Sequence, residues 1–445
     1  MNRSNQCALG YLSALVLYPI SERLEKRYIR NKRAELRAYF GRTFEARKQI
    51  MRNRLADIVD FSGTNVPYYK DLFRSLSFDP KVLRKDSAYL QELPYLTKDI
   101  VREQGRRLLS RELDGLRHYD MKTGGSTGLA ANFFYDQVAA DYSAAVTLYS
   151  RERIGKRKHQ FELHFACRFP YLVESKKWTR EDWKELAMNR SNIFFDRLDE
   201  IGLEEIWQTL VIRRPFLIHG HPSTIYALAC HIQKTRRKAN TFEIFESSGE
   251  LLKAYQRELI EEALQCKVVD RYGLAEFGII AYELNGPGTG LQILDSEGWP
   301  ESLVDHDLYG QTHEFVFSGF RNLLMPLIRY RTGDMAKVVE GDGGFYLSDV
   351  IGRTHDLVPI NNIPYPTHYI MDVLNHRVGG IQEFQIDLHQ SKPILLIVPE
   401  TNALVKDIHE KIISYWGDAF ELRFVQHDGL VRVGRHQKFR HLVHS

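Results

Sequence analysis

The sequence predicts an α/β protein with a large N-terminal domain built on parallel β-strands and a small α+β C-terminal domain. Apolar runs at 215–219 and 241–246 alternate with helical patterns at 223–234 and 250–264. Strands separated by helices of about ten to fifteen residues are typical of parallel βαβ units. A change of pattern after residue 356 marks the start of the smaller domain.

The first 60 residues have the pattern of helices, because apolar residues such as Leu36, Phe40 and Phe44 recur at helical spacing. The apolar run at 8–20 contains Pro19 and is shorter than the ~20 residues that span a bilayer. We therefore expect a helix that packs on the protein. Peripheral membrane association through residues 8–20 is the alternative.

Turn signals at 62–65 and at Pro94 follow, and strand patterns at 312–318 and 335–340 indicate a more antiparallel region. Beyond 356 the patterns predict, in order, a helix at 369–377, strands at 382–388 and 394–398, a helix at 405–415 and a strand at 421–425.

These patterns predict two domains. We expect a large domain at 1–352, whose first 60 residues are helical, and a small mobile domain at 353–445 that turns about a hinge near 353–358.

The composition is that of an ordinary globular protein, and its charge does not by itself indicate a class of partner. The net charge of +4, from 61 basic and 57 acidic residues, is too small to indicate nucleic acid as a partner. Basic clusters at 27–37 and 234–238 lie in helical patterns, where a solvated face is favoured over a phosphate-binding patch. The four cysteines are far apart in sequence, which indicates structural thiols in a reduced, cytoplasmic protein.

Two motifs in the large domain contain residue types that suit a nucleotide site. The run TGGSTG at 123–128 lets backbone N–H groups approach an anion, although a plain turn is the alternative. In DRYGLAEF at 270–277, Tyr272 can stack on a base and Glu276 can bind Mg²⁺ through a hard oxygen. An ordinary loop is the alternative for this motif as well.

Three further motifs lie towards the C-terminus. In RYRTGD at 329–334, Asp334 can accept hydrogen bonds from a ribose, and an arginine–aspartate pair at a strand end is the alternative. In IGRTHD at 351–356, Arg353 can reach phosphate oxygens. In QKFR at 437–440, Lys438 can bring a positive charge to a reacting phosphate, or it is a solubilising surface group.

In this order, the five motifs resemble those of the adenylate-forming superfamily, and more narrowly its phenylacetate–CoA ligase-like branch, which includes proteins of capsule polysaccharide biosynthesis. The resemblance extends over roughly residues 60 to 445. It implies ATP- and Mg²⁺-dependent activation of a carboxylic acid as acyl-AMP, with release of pyrophosphate. Transfer of the acyl group to CoA, or to an amine, hydroxyl or glycan acceptor, would follow.

The resemblance also implies roles for individual residues. Ser248, Gly249 and Glu250 would line the adenine pocket, and Tyr272 would stack on adenine. Glu276 would bind Mg²⁺, and Asp334 would bind the ribose. Arg353 would contact the ribose or the α-phosphate, and Lys438 would contact the carboxylate of the acid and the α-phosphate. The β- and γ-phosphates would be bound by the glycine-rich motif, which consists of Thr123, Gly124, Gly125, Ser126, Thr127 and Gly128.

The acid pocket is assigned on looser grounds. His219 or His221 would face the acid, and Phe277 with Gly278 would form the pocket floor. For each histidine, a structural role with satisfied hydrogen bonds is the alternative.

Three interpretations of function remain open at this point. The first is the ligase. The second is a degenerate binding or scaffold protein, favoured by Leu129, His355 and Gln437, which depart from the family pattern. The third is a basic protein that associates with membranes or nucleic acid.

Overall fold

In the computed structural model of the chain, the structure describes residues 3–123, 131–167, 179–195, 198–307, 310–353, 357–360, 363–366, 370, 373–390, 392–433 and 438–443. The α-helices in this part are α1 (Arg3–Leu12), α2 (Tyr18–Leu24), α3 (Ile29–Phe40), α4 (Phe44–Asn65), α5 (Pro67–Leu76), α6 (Lys98–Gln104), α7 (Gln137–Arg153), α8 (Arg180–Met188), α9 (Glu200–Arg213), α10 (Pro222–Lys234), α11 (Ala254–Leu264) and α12 (Val405–Trp416). Shorter π- and 3₁₀-helical turns are Ser13–Leu17, Pro80–Arg84, Ser87–Glu92, Gly105–Leu108, Val373–Val378 and His427–Gly429.

The strands are β1 (His118–Thr123), β2 (Ala131–Asp136), β3 (Glu162–Cys167), β4 (Arg190–Phe195), β5 (Leu217–Gly220), β6 (Ile244–Ser247), β7 (Lys267–Leu274), β8 (Gly278–Tyr282), β9 (Leu291–Ile293), β10 (Gly298–Asp307), β11 (Gly310–Gly319), β12 (Tyr330–Gly341), β13 (Gly344–Arg353), β14 (Leu357–Ile360), β15 (Ile363–Pro366), β16 (Ile381–Asp387), β17 (Ile394–Pro399), β18 (Glu421–Phe424), β19 (Arg432–Val433), β20 (Lys438–Phe439) and β21 (Leu442–Val443).

The chain forms two compact units. The parallel-sheet unit comprises Met1–Tyr18, Lys158–Asp270 and Ile351–Ser445, and the antiparallel-sheet unit comprises Pro19–Arg157 and Arg271–Val350. The predicted boundary at 352/353 and the predicted hinge stay predictions.

The parallel-sheet unit contains the predicted βαβ units. Its strands run in the order β4-β3-β5-β6-β7, and each pair is parallel. β5 and β6 are buried along almost their whole length, as expected for parallel strands whose sheet is covered on both faces. Ile218, Phe245 and Val268, one from each of three neighbouring strands, are fully buried at the centre of the core.

The C-terminal part of this unit has the predicted α+β pattern. Its sheet has the order β18-β17-β16-β21, and α12 packs on it through Ile408, Ile412 and Trp416. The helix predicted at 369–377 is observed as the π-helical turn Val373–Val378, which ends at two glycines with positive φ, Gly379 and Gly380.

The antiparallel-sheet unit carries the predicted antiparallel region. The end of β7 pairs with β8, and the sheet continues as β9-β13-β12-β11-β10. Helix α4 buries Met51, Leu55 and Val59 in the main core of the unit. The hairpin β1–β2 is followed directly by α7, whose first turn is capped by the carboxylate of Asp136.

The N-terminal apolar run forms α1 and the following π-helical turn. One side packs on the unit, where the Tyr11 ring stacks on His159 at 4.2 Å between centroids. The other side leaves Leu15 71% exposed and Leu12 46% exposed. Among the described helices, none has the length and apolar character needed to cross a membrane.

Candidate functional site

Two of the predicted motifs meet in the antiparallel-sheet unit through a pair of tyrosine–carboxylate hydrogen bonds. The Tyr272 hydroxyl donates to Oδ2 of Asp334 at 2.6 Å, and the Tyr330 hydroxyl donates to Oε1 of Glu276 at 2.9 Å. Each motif therefore supplies one tyrosine and one carboxylate. As a result, the predicted base-stacking, ribose-binding and metal-binding residues lie side by side.

Asp334 lies within β12, in a tight turn that bulges out of the pairing with β11 and in which Gly333 has φ +74°. Its backbone N–H donates to the Thr332 hydroxyl at 3.1 Å, and that hydroxyl donates to the carbonyl of Phe315 at 2.7 Å. The Gly333 N–H donates to Glu314, which also pairs with Arg331. The turn is thus anchored to β11 on both sides, which restricts the orientation of the Asp334 carboxylate.

A cavity of about 410 Å³ opens beside Glu276. Its walls come from the β1–β2 hairpin, from α7, from the segment that follows β7, and from Glu297 and residues between 319 and 327. The predicted pocket residues Phe277 and Gly278 line it, as do Tyr119 and Met121 of β1. Its volume falls within the ~300–1,000 Å³ of typical small-molecule sites.

Small residues keep this cavity open. Helix α7 turns Ala140, Ser143 and Ala144 towards it. Gly278 has φ +80°, and a Cβ at this position would lie 2.7 Å from the Ser143 hydroxyl. A Cβ at Gly319 would lie 2.8 Å from the Phe277 ring. At both positions a larger residue would clash with a neighbouring side chain. At Gly278 the backbone conformation also favours glycine.

The glycine-rich motif connects two strands of the cavity wall. Thr123, the last residue of β1, is the register partner of Ala131 at the start of β2. The predicted phosphate-binding residues Gly124, Gly125, Ser126, Thr127 and Gly128, and the departure at Leu129, lie outside the described residues. The side chain of Thr123 does so too.

The acidic turn of the parallel-sheet unit follows β6. The Ser248 N–H donates to the carbonyl of Gly220 at 3.1 Å, and Nδ1 of His221 lies 2.9 Å from the Ser248 carbonyl oxygen. Gly249 has φ +85°, which the reversal of the chain requires. Glu250 accepts a hydrogen bond from the Ser223 N–H at 3.2 Å, at the start of α10.

His219 has structural partners. Its Nδ1 lies 3.0 Å from Oε2 of Glu246, a carboxylate with no exposed surface, and its ring packs edge-on against His164. His219 and His221 belong to the parallel-sheet unit, whereas Phe277 and Gly278 line the cavity of the other unit. The role of the histidines at the acid stays a prediction.

The C-terminal lysine motif reaches the acidic turn. Lys438 and Phe439 form β20, and the Phe439 N–H donates to Oε1 of Glu250 at 2.6 Å. Arg432, the register partner of Phe439, donates to the hydroxyl of Ser223 at 2.7 Å. The side chains of Lys438 and Arg353 lie outside the described part of the chain, as do His355 and Gln437.

A buried polar cluster holds β16 against the start of α11, and sequence reasoning missed it. The Glu383 carboxylate accepts hydrogen bonds from Lys253 at 2.6 Å and from Tyr255 at 2.8 Å, and lies 3.0 Å from Nε2 of His441. Burial raises the pKa of Glu383, but Lys253 and His441 outweigh it and lower the pKa to about 2. The sequence signal that could have indicated this cluster is the charged residue Glu383 within the apolar pattern of β16.

The sequence is similar to Protein CapK and to phenylacetate-coenzyme A ligases. No family model matches the sequence. The chain is 23% identical to Protein CapK of Staphylococcus aureus over 70% of this chain and 68% of that protein. It is 24% identical to a phenylacetate-coenzyme A ligase of Thermus thermophilus over 78% of this chain and 82% of that ligase.

A solved structure shares the architecture over most of both chains. It is the crystal structure of 2-hydroxyisobutyryl-CoA ligase in the postadenylation state, in complex with 2-HIB-AMP. The TM-score is 0.65, at 17% identity and 89% coverage of each chain. The chain has the adenylate-forming fold.

The adenylate-forming fold confirms the predicted fold class, and the two relatives confirm the predicted resemblance to the phenylacetate–CoA ligase-like branch. The roles that this resemblance gives to individual residues stay predictions. What the structure shows is that hydrogen bonds join Tyr272 to Asp334 and Tyr330 to Glu276.

Proposed function

We propose that this chain is an adenylate-forming ligase. It uses ATP to convert a carboxylic acid into its acyl-AMP, with release of pyrophosphate, and then transfers the acyl group to an acceptor. One observation carries the proposal: Glu276 lines a cavity of ligand size and is bonded to the strand that carries Asp334, which Tyr272 holds in turn. A site for an acid thus adjoins a set of groups suited to a nucleotide.

The chemistry explains why such groups are needed. An oxygen of the acid's carboxylate attacks the α-phosphorus of ATP, a P–O bond forms, and the bond to pyrophosphate breaks. Two anions must approach each other in this step, so positive charge and N–H donors stabilise the transition state most strongly. In this proposal Lys438 supplies that charge, and the backbone at 123–128 supplies donors to the β- and γ-phosphates.

Nucleotide positioning falls to residues from several segments. Tyr272 stacks on adenine, Ser248, Gly249 and Glu250 border the base, and Asp334 accepts hydrogen bonds from the ribose. Arg353 contacts the ribose or the α-phosphate. The rigid turn around Asp334 supports this role, because a carboxylate fixed before binding loses little entropy when the ribose arrives.

Glu276 fits a role as a magnesium ligand. Its Oε1 accepts the Tyr330 hydrogen bond, and its second oxygen accepts none within the described part of the chain. Among those residues no group of three or more potential ligands forms a complete metal site. Mg²⁺ commonly takes one or two protein carboxylates together with substrate phosphates, and it would neutralise phosphate charge here.

The acceptor is argued from the relatives. The names of the Thermus ligase and of the solved structure both include coenzyme A, which supports CoA as the acceptor. The motif resemblance to capsule-biosynthesis proteins, together with the similarity to Protein CapK, adds a second candidate acceptor, an amine or hydroxyl of a glycan precursor.

The test is acid-dependent exchange of pyrophosphate into ATP, with a panel of aryl, amino, sugar and short acyl acids. We expect exchange with at least one acid and none in its absence. An Asp334→Asn variant should show weaker exchange, and Asp418→Asn, at an aspartate whose side chain is 91% exposed, serves as the matched control. Retained ATP binding without exchange for any acid would instead support the scaffold interpretation. CoA, amines and glycans are then tried as acceptors.

A further inference from the structure

Most polar groups in the wall of the cavity beside Glu276 already have protein partners. Arg27 donates to the Asp141 carboxylate at 2.6 Å, and the Tyr119 hydroxyl donates to Gln137 at 3.0 Å. Asn322 donates to the carbonyl of Phe134 and accepts from the N–H of Met325. These side chains shape the cavity without requiring a ligand.

Glu297 differs from them. It lines the cavity, and the residue is 6% exposed. Its Oε1 accepts from Arg321 at 3.1 Å and from the Ser296 hydroxyl at 2.8 Å. Its Oε2 accepts no hydrogen bond from any residue that the structure describes. Because Glu297 is buried but lines the cavity, this oxygen is available to a donor that enters the cavity.

Glu297 and Glu276 line the same cavity, and the Phe277 ring lies between them. Glu297 precedes Gly298, which is the register partner of Gly319, and Gly319 lies against the Phe277 ring. Phe277 itself adjoins Glu276 in the chain. A molecule that enters the cavity from the side of Glu276 can therefore extend past Phe277 and present its tail to Glu297.

We propose that this cavity selects a carboxylic acid whose tail carries a hydroxyl group, and that Glu297 and Arg321 are the residues that determine this specificity. The proposal rests on the ligase function and names its substrate class. The tail hydroxyl donates to Oε2 of Glu297 and accepts from an N–H of Arg321 that is not used in the ion pair.

The ion pair disfavours charged tails. A second carboxylate on the substrate would be repelled by Glu297, and an ammonium group would be repelled by Arg321. The Arg321 guanidinium is held 3.8 Å above the ring of Tyr142, so it does not swing away to leave one charge alone. A neutral group that both donates and accepts fits the pair, and a hydroxyl does both.

The experiment compares acids that differ by one hydroxyl. The pairs are 4-hydroxyphenylacetic and phenylacetic acid, 3-hydroxybenzoic and benzoic acid, and 3-hydroxybutanoic and butanoic acid. For each acid, kcat/KM is measured by pyrophosphate exchange and Kd by calorimetry without ATP. In at least one pair we expect the hydroxylated acid to be favoured by about tenfold or more in both quantities.

Glu297→Gln tests the residue. Arg321 would hold the amide oxygen, so the NH₂ group would stand where Oε2 stood and the hydroxyl would lose its acceptor. We expect the preference to fall to within about threefold, with little change for the acid that lacks the hydroxyl. Glu301→Gln is the matched control, because Glu301 pairs with Arg329 at 3.0 Å and is not part of the cavity wall. It should keep the full preference.

The outcomes separate this proposal from the ligase function. If no pair shows a preference in exchange or in binding, the proposal is wrong and water satisfies Glu297. If calorimetry shows the preference but no acid supports exchange, the ligase function fails and the specificity of the cavity stands. Should Glu297→Gln fail to fold, the wild-type comparison of paired acids still decides the question.

Discussion

The hydroxyl of Tyr272 donates to Oδ2 of Asp334 at 2.6 Å, although 62 positions separate the two residues in the chain. The bond fixes the carboxylate relative to the tyrosine ring. If the ring lies against adenine, the carboxylate is then already oriented towards the ribose of the same nucleotide. In the proposed site, the two groups would act as one preformed clamp for a nucleoside.

Tyr272→Phe keeps the ring and removes the clamp bond. We expect the KM for ATP in the exchange assay to rise by about tenfold, the loss of one charge-assisted hydrogen bond, with a smaller change in kcat. Tyr415→Phe, which changes an exposed tyrosine in the same way, should leave both constants unaltered. An unchanged KM for ATP in Tyr272→Phe would mean that this pair does not bind the nucleoside.

Glu276→Gln removes the charge that a magnesium ion would require. We expect the exchange rate to fall by about 10²-fold at limiting Mg²⁺ and to recover partly at high Mg²⁺. Tyr330→Phe leaves the carboxylate but removes its 2.9 Å hydrogen bond, and should cost about tenfold or less. A Glu276→Gln enzyme with the Mg²⁺ dependence of the wild type would exclude this residue as the metal ligand.

The sequence predicts a structural feature well when the interacting residues are close together along the chain, and poorly when they are far apart. The strand predicted at 394–398 and the helix at 405–415 are observed as Ile394–Pro399 and Val405–Trp416, because local apolar patterns determine them. The bond between Lys253 and Glu383 joins residues 130 positions apart. No periodicity encodes such a contact, because it depends on how separate elements pack.

The candidate site shows the same division. Phe277 and Gly278 were predicted as pocket residues from their motif, and they line the cavity. Glu297 belongs to no motif, and its proposed role rests on Oε2, which accepts no hydrogen bond from any residue that the structure describes. Local patterns therefore point to residues that belong to motifs, whereas a residue such as Glu297 emerges only from the packing around it.

Lys438→Ala should separate chemistry from binding. We expect acyl-AMP formation to fall by about 10²–10³-fold, the usual cost of removing one charge-stabilising donor, while the Kd of ATP stays close to that of the wild type. Lys406→Ala, on α12 with a side chain that is 84% exposed, is the control for loss of one positive charge. Acyl-AMP formation at the wild-type rate in Lys438→Ala would make the assignment wrong.

The exposed apolar side of the N-terminal segment favours contact with a lipid surface. Leu12, Leu15 and Val16 lie between 42% and 71% exposed, on a segment whose other side packs on the protein. We expect the chain to sediment with vesicles that contain anionic lipid, and Leu15→Ser to weaken binding by about tenfold or more through loss of buried apolar area. Leu404→Ser, which makes the same change at a leucine that is 67% exposed just before α12, serves as the control. Equal sedimentation of Leu15→Ser and wild type would exclude this surface.

The buried cluster around Glu383 predicts that acid destabilises the parallel-sheet unit in two steps. Burial lowers the pKa of His427, whose ring packs against Tyr226 and Tyr255. Because the folded state then binds fewer protons than the unfolded state, the stability from this group is present above pH ~6.5 and is lost as the pH falls through the folded pKa. For Glu383, with a pKa of about 2 against an ordinary 4.5, the loss begins near pH 4.5 and continues towards pH 2.

Thermal unfolding measured from pH 8 to pH 3 tests both steps. In His427→Gln, the midpoint temperature of unfolding should depend less on pH between pH 7 and the folded pKa of His427. His409→Gln, which changes an exposed histidine on α12, should show the pH dependence of the wild type. Glu383→Gln should destabilise the unit at pH 7 by about 3–5 kcal/mol, because it leaves the buried Lys253 ammonium without its counter-charge. Since that loss is already present at neutral pH, the variant should also lack the decline that begins near pH 4.5. A variant that retains this decline would show that other carboxylates cause it.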